Sequence, residues 1–137
     1  MKVLYALAAF ASCTLAQNAL ILRPEAGQVV APGDDLVVQV LLPDTTSSDT
    51  QIGLVIALAD CAYTCYLPNI GMGTVLYNGA FDPVYHETYL PPYQNFTVTV
   101  PSKFPAGNLQ VNVAHFSLVG AGPTPVMETF NQTIVVT

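Results

Sequence analysis

The chain has 137 residues, nine of them Asp or Glu against three Lys or Arg, for a net charge of −6. So few bases argue against a nucleic-acid or anionic-lipid partner, because phosphate binding uses clustered Lys or Arg to release counterions. A neutral or basic partner suits the balance better, and the length suits one domain around one core.

In chain order, residues 1–16 read as a cleavable secretory signal. Lys2 supplies the positive charge, Val3 to Ala11 the apolar run and Thr14-Leu15-Ala16 the small-residue cleavage site. Cleavage after Ala16 leaves residues 17–137, with Gln17 first, as a single domain. The apolar run falls short of the roughly 20 residues of a membrane span, and the longest later one, Leu54 to Ala59, soon meets Asp60. The closing run Thr133 to Thr137 lacks the hydrophobic tail of a lipid-anchor signal. The expectation is a secreted, extracellular domain with no membrane attachment.

Beyond the signal, apolar segments of strand length alternate with Pro and Gly, which fall between segments where they cost no ladder hydrogen bond. Leu20 to Leu22 opens the series, and Pro32-Gly33-Asp34 turns into Leu36 to Leu42. A polar loop from Pro43 to Thr50 leads to Ile52 to Ala59, apolar on both faces as a central strand would be. Thr74 to Tyr77, a weaker segment at Tyr85 to Tyr89, Asn95 to Val100, Leu109 to Leu118 and Thr129 to Val136 follow. Phe96, Val98 and Val100 predict a core face and Asn95, Thr97 and Thr99 a solvent face. Leu109, Val111 and Val113 alternate with Gln110 and Asn112 until the phase changes at Phe116 and Leu118, which reads as a bulge or the end of pairing. The fold class expected is all-β, an antiparallel immunoglobulin-like β-sandwich of about seven strands.

With Cys13 removed in the signal, Cys61 and Cys65 form an even pair in an oxidising compartment, and a disulfide is the economical reading. A zinc site needs more ligands, and a redox pair is usually spaced C-x-x-C at a helix start. The sequons Asn95-Phe96-Thr97 and Asn131-Gln132-Thr133 lie on predicted polar faces, where a glycan would be sterically permitted.

Catalytic chemistry is thin. His86, with Asp82 and Glu87 nearby, and His115 could contribute to a metal or acid–base site. Yet His86 lies in a Pro- and Tyr-rich connection, and His115 shares a face with Val111 and Val113, where a hydrogen-bonded interior histidine is commoner than a ligand. There is no G-x-S-x-G elbow, and Ser47, Ser48, Ser102 and Ser117 lack an identifiable base. Asp34 and Asp35 sit at a predicted turn. Neither an enzyme nor a cofactor is expected.

The tyrosines carry more. Tyr63, Tyr66, Tyr77, Tyr85, Tyr89 and Tyr93 lie in one stretch that also holds the cysteine pair, Gly71-Met72-Gly73, Pro83, Pro91 and Pro92. Tyr offers large contact area at small entropic cost, so this stretch is the candidate binding surface, for a protein or for carbohydrate and cell wall. Equally, the rings could cover a sheet edge and hydrogen-bond the backbone.

Four runs in this order bear a family resemblance: Gly73-Thr74-Val75-Leu76-Tyr77, Asn95 to Ser102, Leu109 to Gly120, and Asn131-Gln132-Thr133-Ile134-Val135-Val136. Through them the chain resembles the fungal necrosis-inducing secreted protein family. The resemblance implies a secreted, non-enzymatic effector that induces host cell death and dampens plant immunity by binding kinases associated with pattern receptors.

Overall fold

The computed structural model describes residues 18–137; the signal read over residues 1–16, its cleavage site and Gln17 lie outside the described residues. From Asn18 onward the chain forms strands and no helix: β1 (Leu20–Arg23), β2 (Val29–Val30), β3 (Asp35–Leu41), β4 (Asp49–Asp60), β5 (Thr74–Gly79), β6 (Tyr93–Thr99), β7 (Gly107–Val119) and β8 (Thr124–Val136). Among the described residues no helix is therefore long and apolar enough to cross a membrane.

The strands make a three-stranded sheet in the order β1-β3-β6 and a five-stranded sheet in the order β2-β8-β7-β4-β5. Strict alternation makes β6 half-buried. Phe96 and Val98 point inward and Asn95, Thr97 and Thr99 outward, and β3 matches them in register, Leu36 opposite Val98 and Val38 opposite Phe96. From the other sheet Leu54, Ile56 and Leu58 of β4 and Val111 and Val113 of β7 join the same buried cluster. Each fully buried Leu, Ile or Val contributes roughly 1.5–3 kcal/mol, so this shared interior is what holds the two sheets together.

Four differences from the sequence expectation have physical causes. The antiparallel expectation fails at β2, which pairs parallel to β8 through Val29–Val135 and Val30–Val136. The chain crosses from one sheet to the other and back before β3, and a two-residue strand is too short to show a period. Tyr85 to Tyr89 is not a strand; a single bridge joins Val84 to Tyr93, since Pro83, Pro91 and Pro92 offer no N–H to extend a ladder. β8 begins at Thr124 instead of Thr129, because β7 and β8 stay in register all the way to their turn, where Val119 faces Thr124. Finally, β7 has no bulge: it pairs with β8 unbroken, and the irregularity lies on β4 between Gln51 and Gly53. Phe116 and Leu118 thus share the outer face with Gln110 and Asn112, and Ile52, the extra residue of the β4 bulge, is exposed instead of central.

Candidate binding surface

β4 leaves its sheet at Asp60, and the chain does not resume pairing until Thr74. Cys61 and Cys65 are disulfide-bonded, with Cα atoms 4.6 Å apart, closing the first part of the connection into a small ring. The Asp60 carboxylate starts that ring by accepting from the Ala62 N–H at 2.9 Å, and Cys61 N–H donates to the Asn108 carbonyl at 3.1 Å. A turn follows in which Ile70 N–H donates to Leu67 O at 2.9 Å.

Two side chains from β7 fasten this loop to the outer face of the five-stranded sheet. Gln110 Nε2 donates to the Tyr66 carbonyl at 2.8 Å and to Asn112 Oδ1 at 2.6 Å, and Asn112 Nδ2 donates to the Met72 carbonyl at 2.9 Å. Gln110 is 4% and Asn112 0% exposed. Although they alternate with the core residues of β7, residues 61–73 cover them, and their amides satisfy carbonyls that the sheet ladder does not reach. The return into β5 requires glycine at Gly73, where φ is +88° and a Cβ would stand 2.2 Å from the Leu58 carbonyl oxygen.

Between the loop, the ends of β4 and β5, and the turn after β6 lies a pocket of about 450 Å³, lined by Leu58, Asp60, Tyr66, Ile70, Thr74 and Phe104 among others. The Lys103 ammonium stands 5.7 Å from the centre of the Phe104 ring. Tyr66 and Ile70 of this lining are exposed, Ile70 to 71%, as are Tyr63 and Leu67 of the same loop. Leu67, Ile70 and Phe104 were not expected from the sequence, where apolar residues in a Pro- and Gly-containing loop have no period to assign them a face.

The structure divides the tyrosines. Tyr63 and Tyr66 stand at this end. β5, a strand of 6 residues spanning on the order of 17 Å, carries the chain to the other end, where Tyr85, Tyr89 and Tyr93 lie. Tyr77 sits between, its ring centroid 4.6 Å from that of Phe96 across the sheets and its hydroxyl donating to the Ala80 carbonyl at 2.6 Å. Tyr93, 7% exposed, stacks on His86 at 4.1 Å and donates to Glu87 Oε1 at 3.0 Å. Burial, and then that bond to Glu87, push its phenol above its ordinary ionisation range. The exposed Tyr85 hydroxyl donates to Asp44, and that bond is the main cause of its own raised pKa. Tyr89 is exposed. A single six-tyrosine face is therefore corrected to two exposed pairs at opposite ends, with Tyr77 and Tyr93 in packing roles.

His86 is exposed beside Tyr93, whereas His115 is 2% exposed. The His115 Nδ1 lies 2.7 Å from Glu128 Oε1, its Nε2 bonds Gln51 Oε1, and Phe81 packs edge-on against the ring at 5.1 Å. Among the described residues no three His, Cys, Asp or Glu side chains gather into a group that could hold a metal ion. Asn95 and Asn131 are both exposed, on the outer faces of β6 and β8.

These features define a small all-β domain of two packed sheets bearing one disulfide-closed loop. The model of the Nis1 family, necrosis-inducing secreted protein 1, matches residues 17–135, and the chain belongs to this family of secreted effectors. A search of the curated proteins found none that matches.

Proposed function

We propose that this protein is exported through a signal at residues 1–16 and acts outside the producing cell as an effector. It binds a host protein through the face built by residues 61–73 and catalyses no reaction. The observation that carries the reading is the set Tyr63, Tyr66, Leu67 and Ile70, exposed together on a loop whose backbone is tied down by Gln110, Asn112 and the Cys61–Cys65 bond. Exposed apolar and tyrosyl groups on a pre-ordered backbone lose little entropy on binding, which favours affinity. The family match, beginning at residue 17, supports a boundary after Ala16. We read the two facing sheets as an immunoglobulin-like sandwich, supported by the core that β3, β4, β6 and β7 share. Glycans at Asn95 and Asn131 would extend from the two outer faces, that at Asn131 beside the 61–73 loop, since Asn131 pairs with Asn112.

The partner class that the family suggests is a plant kinase associated with pattern receptors. The test is a pull-down of such kinase domains, with insoluble plant and fungal polysaccharides in parallel. It compares wild type with Tyr63→Ala/Tyr66→Ala and with Tyr85→Ala/Tyr89→Ala, all checked for folding. Kinase retention lost only in the first variant supports the reading. Retention lost only in the second moves the face to the other end of the domain, and polysaccharide retention without kinase replaces a protein partner by carbohydrate.

A further inference from the structure

Beyond that reading, we infer that two copies of this chain pair through the outer faces of their five-stranded sheets, the 61–73 loop of each lying on the bare half of the other. The first observation is the placement of charge. The outward alternation of β4, β7 and β8 runs through Gly53, Val55, Ala114, Phe116, Met127 and Thr129 and carries no ionised side chain. Asp49, Asp60 and Glu128, the acids on these strands, take the inward alternation, paired with Val119, Leu109 and His115. Asp35 lies on the other sheet, bonded to Thr99, and the remaining acids lie in connections. The loop from Cys61 to Gly73 has no Asp, Glu, Lys or Arg. On a chain of net charge −6, copies repel wherever their acids meet, and a neutral face is where like can approach like.

The second observation is that this face has two levels. The loop stands on the half nearer Leu109, where it covers Gln110 and Asn112. The other half is bare: Phe116, between Gly53 and Met127 in register, is 37% exposed and Met127 60%. A two-fold axis lying across the strands at Ala114, midway between Asn112 and Phe116, sets the raised half of one copy on the bare half of the other. The two steps then fit, as an isologous contact requires of a single surface. Exposed apolar side chains occur on both levels, Leu67 and Ile70 on the loop and Phe116 and Met127 on the sheet, and the self-contact brings the two levels together. With strands about 4.8 Å apart and about 3.4 Å per residue, the face spans roughly 600–800 Å². A standard stable interface takes about 800 Å² from each partner.

Asn131 stands on this face beside the loop. A glycan there would hold the copies apart, so the dimer is the form with Asn131 unmodified. The dimer also covers the face assigned above to a host protein. Resting on that reading, pairing withholds the face until dilution frees it.

The test is sedimentation velocity of the Asn131→Gln protein over a concentration series, with Phe116→Asp and Met127→Glu in the same background, all checked for folding by circular dichroism. A monomer–dimer equilibrium is expected. Either substitution should raise its dissociation constant at least about tenfold, because each sets an unpaired acid against the partner's neutral face. Met127, the more exposed of the two, keeps the test valid if Phe116→Asp fails to fold. Orientation is read from a nitroxide on Gly122→Cys, in the β7–β8 turn, where a side chain meets nothing within 4 Å. Mixed with isotope-labelled copies that carry no nitroxide, it should broaden amide signals of residues 61–73. A monomer throughout the series, a dimer indifferent to both substitutions, or broadening at residues 49–53 and 116–127 instead of the loop would each overturn the proposal. Kinase retention that rises in Phe116→Asp supports the masking. If retention depends on Tyr63 and Tyr66 while the protein stays monomeric, the dimer falls and the binding face stands. If the dimer forms and even monomeric Phe116→Asp retains no kinase, the dimer stands and the kinase reading falls.

Discussion

Gln110 and Asn112 each serve a carbonyl of the loop above them, and the first also serves the second. Truncating Gln110, itself 4% exposed, strips the Tyr66 carbonyl and the Asn112 oxygen of a donor. A buried acceptor left unpaired costs about 1–3 kcal/mol, so Gln110→Ala should lose roughly 2 kcal/mol in urea denaturation and speed amide exchange across residues 66–73. At Tyr93 the sign follows from the raised phenol. The folded state holds the proton more tightly than the ordinary value of 10.0, so the contribution is whole below that pH and disappears as pH rises through the raised value. Alkaline unfolding should therefore coincide with late phenolate absorbance, and Tyr93→Phe should remove one phenol's share of it, leaving that of the exposed Tyr85, whose phenol is also raised. Neither residue's role was legible in the sequence. An outward Gln or Asn in an alternating strand looks the same whether solvent or a loop lies over it, and burial of one Tyr among six is decided by His86 and Glu87, which only the folded chain places beside it.

For strands, legibility follows period. β3 and β6 alternate cleanly, so Leu36 to Leu42 and Asn95 to Val100 lie close to their observed bounds, the second with the right faces. β2 has two residues and therefore no period, and the bulge at Ile52 had to be inferred from an apparent phase change on a neighbouring strand, which put it on β7 instead of β4. The disulfide was legible because cysteine count and spacing are local properties. Its energetic role is also local. So short a ring constrains the unfolded chain little, and Cys61→Ser/Cys65→Ser should lower stability by about 2 kcal/mol in the chain-entropy model. Because Gln110 and Asn112 hold the far half of the loop from below, the variant should keep its fold. Its added mobility should concentrate at residues 61–65, which limited proteolysis with and without reductant would report.

At the scale of the molecule, the sheets are joined by packed apolar side chains through most of their contact, but toward the Gly79 end of β5 the joint is polar. Glu128, on β8 of the five-stranded sheet, accepts from the Ala19 N–H at 2.9 Å, immediately before β1 of the three-stranded sheet, and its Oε1 lies 2.7 Å from His115 Nδ1. One carboxylate therefore fixes the start of the first strand and the orientation of an interior imidazole that also bonds Gln51. The topology behind this joint could not be read from the sequence, since Ala19 and Glu128 are 109 positions apart and only the crossing of the chain between sheets brings them together. Glu128→Ala removes the acceptor from both donors at once. With His115 2% exposed, the loss should be about 1–3 kcal/mol for each donor left unpaired. Glu128→Gln keeps an amide oxygen for one donor and should lose less, roughly 1–2 kcal/mol. Urea denaturation of both variants, with amide exchange at residues 19–23, separates the alternatives. Equal losses would mean that charge carries the joint, whereas a mild Gln variant with protected β1 amides would mean that hydrogen-bond geometry does.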